Sequence, residues 1–104
     1  MKVRLSESAA GAYDNALARI REVNRLAASR FADRVKHALQ RLGSYPEIGH
    51  FVPEFESAPL RQFIVEPYRF FYFIDQRHKT ILVVDIWHGS QLPRAPELPQ
   101  HIAE

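Results

Sequence analysis

The sequence predicts an α+β fold in the order β-α-α-β-β-β, an antiparallel sheet with a helical hairpin packed on one face. Three observations carry that prediction. Apolar residues recur at helical spacing from Ala10 to Leu42, with one break near Asn24. Three strand-like runs then crowd into residues 60–88, which hold seven of the twelve aromatic side chains. A single proline-rich connection, residues 45–59, separates the two halves.

Each element follows from its residues. Residues 2–6, KVRLS, alternate polar and apolar and read as a first strand. A hydroxyl at Ser6 or Ser8 can cap the helix that follows, because it satisfies a free backbone N–H. Ala10, Tyr13, Leu17 and Ile20 form one stripe of that helix, with charged residues between them. The period resets at Asn24 and Arg25. A second helix then lines up Ala28, Phe31, Val35, Ala38, Leu39 and Leu42, and Gly43 followed by Pro46 is placed to end it. Residues 60–66, 68–75 and 80–88 are the later strands, and the polar turn 75–79 makes the last two antiparallel neighbours. Strict alternation puts Arg69, Phe71, Phe73 and Asp75 on one side of strand 68–75, and Tyr68, Phe70, Tyr72 and Ile74 on the other. Two helices cover one face of a sheet, so the second face is expected to be aromatic, open to water and ready for a partner.

With 104 residues the chain is read as a single domain, 1–104, in which the proline-containing segment 89–104 forms an extended tail. The absence of cysteine excludes disulfides, thiolate nucleophiles and sulfur-ligated zinc. The five histidines lack ligand spacing, so neither metal nor cofactor is expected. The N-terminus does not resemble a signal peptide, and no apolar run is long enough for a membrane span, so a cytoplasmic protein is expected. Arginine outnumbers lysine eleven to three, which favours contacts with phosphate or carboxylate groups.

Taken together, Leu42-x-x-Tyr45-Pro46-x-x-Gly49, the strand opening Leu60-Arg61, the run Tyr68-Arg69-x-x-Tyr72 and a last strand ending in His88 resemble the RelE/ParE toxin superfamily over residues 2–90. The resemblance implies the toxin of a type II toxin–antitoxin module. It implies a cognate antitoxin with a segment that folds across the toxin, and operator DNA bound only through that antitoxin. Two outcomes exist within the superfamily. ParE-like members bind DNA gyrase, whereas RelE-like members cut mRNA on the ribosome.

Metal-free RNA cleavage needs a base, an acid and cations around the phosphorane. Arg61, Arg69 and His88 match positions that carry function in RelE-like nucleases and are the catalytic candidates under that reading. Tyr68 and Tyr72 can stack on a base or, with Arg94, meet a partner. If the last two strands pair, Arg69 and His88 are expected to form a cationic corner. Each also has a structural reading: Arg69 as the partner of a strand-edge acid such as Glu66 or Asp85, His88 as a cap on the sheet. Glu54 and Glu56 flank Phe55 as candidate bases or as solvated loop residues. The chain departs from the nuclease pattern in its cations: strand 60–66 carries only Arg61, no tyrosine follows Tyr72, and Gln91 stands where an arginine often follows the histidine. The leading expectation is therefore a ParE-like gyrase binder. The RelE-like nuclease is the alternative, and an inactive antitoxin-binding module is the third.

Overall fold

The computed structural model describes residues 1–55 and 57–90. The expected tail beyond Ser90, with the candidate Arg94, lies outside the described residues. The chain runs β1 (Lys2–Leu5), α1 (Glu7–Val23), α2 (Arg25–Ser44), β2 (His50–Phe51), β3 (Arg61–Val65), β4 (Tyr68–Asp75) and β5 (Thr80–His88), with a 3₁₀ turn at Pro53–Phe55. Two helices on a five-stranded sheet give the α+β class that the sequence predicts. The strand order is β1-β5-β4-β3-β2. Pairing is antiparallel except at β1, which joins β5 in parallel and makes the sheet mixed. Chain direction explains this: the connection from β1 to β5 passes through both helices and the three antiparallel pairings β2–β3, β3–β4 and β4–β5.

Capping sets the helix boundaries. Of the two serines considered, Ser6 is the cap, and its Oγ accepts from Ala9 N at 3.0 Å. Asn24 ends α1 through its own N–H to Ile20 O and opens α2 by accepting from Ala27 N. Gly43 does not terminate α2, which runs one residue further to Ser44. Its role is spatial, because a Cβ there would lie 2.9 Å from the Met1 carbonyl oxygen.

The sheet is buried on both faces. On the helix side, Tyr68, Phe70, Tyr72, Ile81, Val83 and Ile86 pack against Ala16, Phe31, Val35 and Leu42. On the other side, Phe71, Phe73, Val84 and Trp87 pack with Val52 and Leu60, and Phe55 and Ala58 close over them. The expectation of an open aromatic face is corrected here. The 52–60 connection folds back as a strap and covers it, with Phe55 set edge-on to Trp87 at 6.3 Å. Burying rings of this size removes well over 100 Å² of apolar surface apiece from water, enough to hold a connection that forms little regular structure of its own.

A bulge re-aims the end of β5. The register with β4 slips between Phe71 and Tyr72, which face Asp85 and Val83. Val83 and Ile86 therefore share the helix-side core although they are three residues apart. Val84 and Trp87, also three apart, share the opposite one.

Candidate functional site

The candidate residues lie on β3, β4 and the end of β5, and pairing determines which can meet. Arg69 is opposite Trp87, and Tyr68 is opposite His88. Adjacent residues of a strand point to opposite faces. Arg69 accordingly projects on the strap side, with its guanidinium carbon 5.1 Å from the Phe71 ring centre. His88 turns to the helix side, edge-on to Tyr68 at 5.3 Å. The expected corner of Arg69 and His88 does not form, since the sheet itself stands between them.

Arg69 has an acidic partner, but it is neither Glu66 nor Asp85. Glu54, on the strap, accepts two hydrogen bonds from Arg69, from Nη1 to Oε2 and from Nη2 to Oε1, both at 3.0 Å. Nε donates to Gln62 Oε1 at 2.8 Å. This fork holds the Glu54 carboxyl below its usual range, chiefly through the hydrogen bonds from Arg69. The carboxylate is thus ionised and its charge offset by the arginine, which suits a latch better than a proton acceptor.

Arg61 serves the preceding loop. Its Nη1 donates to Gly49 O at 2.9 Å, and its guanidinium carbon lies 4.1 Å from the centre of the Phe51 ring. It pairs with Tyr72 in the β3–β4 ladder. Arg61 and His88 are thus two strands apart and four residues out of step, a separation of ~16 Å from strand geometry. No single phosphate spans that gap.

Tyr72 is fully buried, and its hydroxyl donates to Pro46 O at 2.8 Å while accepting from Gly49 N at 2.9 Å. Burial raises its pKa, so the phenol stays protonated and able to donate. This explains the Tyr45-Pro46-x-x-Gly49 pattern. A Cβ at residue 49 would lie 2.6 Å from both Gln62 O and the Tyr72 hydroxyl, so only glycine lets the turn settle on the tyrosine. Tyr68 is also buried, at 7 % exposure, and packs on Phe31. Neither ring offers a face for stacking in this conformation.

His88 Nδ1 accepts from Ser90 N at 3.1 Å and lies 2.7 Å from Ser90 Oγ. Accepting requires an unprotonated Nδ1, which places the proton of the neutral ring on Nε2. A shallow polar depression lies beside it, between α1 and the end of β5, lined in part by Glu7, Asn15, Arg19 and Asp85. Asp85 is held among hydrogen-bond donors, with Oδ1 accepting from Ile86 N and Oδ2 from the Trp87 indole N–H.

Among the described residues no group of three His, Cys, Asp or Glu side chains could hold a metal ion, and no helix is long and apolar enough to cross a membrane. Sequence reasoning missed Gln62 and the clamp made by Tyr72, because both depend on which strands become neighbours. Four of the exposed large apolar residues, Tyr45, Ile48, Phe51 and Ile64, lie on β2, β3 and the segment leading into β2. Ile48 and Ile64 line a groove of about 410 Å³ together with Ala38, Arg41, Leu42 and Phe63, and Tyr45 and Phe51 are exposed on the neighbouring 45–51 segment. A family model described as the ParE toxin of the type II toxin–antitoxin system, parDE, matches residues 3–93. No curated protein matches the chain.

Proposed function

Because the chain belongs to the ParE toxin family of type II toxin–antitoxin systems, we propose that it arrests growth by binding DNA gyrase, without cutting RNA, and that a cognate antitoxin neutralises it. The observation that carries this reading is the commitment of the candidate cations. Arg69 is clamped by Glu54, Arg61 is bound to the Gly49 carbonyl, and His88 sits on the other face of the sheet from Arg69. General acid–base cleavage of a phosphodiester needs such groups within hydrogen-bond reach of one phosphate. The separation supports a protein-binding toxin over a ribosome-dependent nuclease.

The antitoxin is proposed to dock at the free edge beside β2 and β3. The strap already fills the aromatic face, whereas the edge leaves Ile48, Phe51 and Ile64 uncovered. An amphipathic segment ordering there would bury them, with acidic residues facing Arg41.

The test has two arms. Purified toxin is expected to inhibit supercoiling by gyrase and to leave message uncut in a translating extract. Cuts that follow the reading frame and vanish when translation is blocked would reverse the assignment. For the antitoxin, new hydrogen-exchange protection is expected in residues 45–51 and 61–65. Protection confined to residues 80–88 would place the docking site elsewhere.

A further inference from the structure

The helical hairpin concentrates positive charge. Residues 19–41 hold seven of the 14 Lys and Arg side chains but only two of the 12 Asp and Glu. All seven cations are exposed. Among the described residues none of them forms an ion pair. Arg34 donates to a carbonyl, Glu66 O at 3.0 Å, and so keeps its charge. The remainder of the chain carries an excess of acid, which makes the molecule electrically lopsided despite its formal charge of +2.

On α2 the cations follow a pattern. At about 100° per residue, the helix face opposite buried Phe31, Val35 and Leu42 is a ridge of Leu26, Ser29, Asp33 and Gln40, all exposed. Arg30, Arg34 and Arg41 line one flank of that ridge over ~16 Å of helix. Arg25 and Lys36 lie on the other flank. An acidic protein surface pressed against the ridge would best be met by cations on the ridge itself. Cations on two flanks, separated by a helix about 10–12 Å across, suit a ligand with anionic walls on both sides. The major groove of B-form DNA, about 12 Å wide and walled by phosphates, has that shape. The corresponding groove of A-form RNA is too narrow to admit a helix.

We infer that α2 is a duplex-DNA contact surface that the toxin carries itself, with its flanking arginines on the phosphates and its ridge toward the groove floor. The single acid of the ridge, Asp33, is then an acceptor directed at base-edge donors, and Leu26 is an apolar contact. This inference rests on charge placement alone and is independent of whether gyrase is the target.

The experiment is fluorescence anisotropy of the full-length toxin with a labelled duplex of about 20 base pairs, over a salt series. Five phosphate contacts predict a slope of log affinity against log salt of about −4.5. The double reversal R30E/R41E is expected to weaken binding at least tenfold and to flatten the slope by about two. K2E, a reversal on β1, is expected to leave both unchanged. If R30E/R41E fails to fold by circular dichroism, R30Q/R41Q serves in its place, and at least a threefold weakening is expected. The inference is overturned if the wild type shows no salt-dependent binding, if K2E weakens binding as much, or if an RNA duplex or a poly-glutamate peptide binds as tightly as DNA.

Discussion

Replacing Tyr72 by phenylalanine deletes one oxygen and tests the clamp that joins the sheet to the 45–49 turn. The ring stays, so packing in the helix-side core is preserved. What is lost is the donor to Pro46 O at 2.8 Å and the acceptor for Gly49 N at 2.9 Å. A buried hydrogen bond contributes about 1 kcal/mol net, and a buried group left unsatisfied costs about 1–3 kcal/mol. Two orphaned backbone groups, one of which gains partial access to water, predict a loss of about 2–4 kcal/mol. For a domain this size each kcal/mol shifts Tm by about 4–8 °C, so Y72F is expected to melt roughly 8–32 °C lower. Urea unfolding followed by circular dichroism measures the free energy, and amide exchange at Gly49 reports the clamp itself. A loss under about 0.5 kcal/mol, with Gly49 still protected, would refute the assignment of that hydroxyl as the anchor of the turn.

Other consequences are more local. The Glu54 carboxyl is depressed in the folded state, so its stabilising effect is present above the unfolded pKa and fades as pH falls through the folded one. Wild type should therefore exceed E54Q in stability at pH 7, by about 1 kcal/mol after allowing for solvent exposure, and the two should converge as pH falls through the depressed folded-state pKa of Glu54. A gap that persists in acid would mean that the latch does not act through charge. Asn24→Ala removes the α2 cap at Ala27 N and is expected to cost about 1 kcal/mol in urea unfolding, whereas N24S should retain most of it. Val23→Ser, at a side chain 89 % exposed, should change stability by less than about 0.5 kcal/mol, and a larger loss would show that the hairpin tip is covered in solution.

The sequence by itself determined β1, both helices, the three long strands and their order, but not the two-residue β2. Helical periodicity, the break at Asn24 and the polar turn after Asp75 are local signals, set by backbone chemistry within a few residues. Apolar content on both sides of strand 68–75 was visible too, but not that both sides would be buried, since the second face was expected to stay open. What it could not convey was anything that depends on strands meeting. The parallel pairing of β1, the bulge that puts Val83 and Ile86 on one face, and the strap over Trp87 all arise from packing between segments far apart in the chain. The same holds for the candidate residues. Arg61, Arg69 and His88 are legible as chemistry in the sequence, but their faces and partners follow from register, and a shift of one residue in a sheet exchanges one face for the other. Tertiary structure joined Arg69 to Glu54 and set His88 behind the sheet, because burying two aromatic layers required the 52–60 segment to fold back over β4.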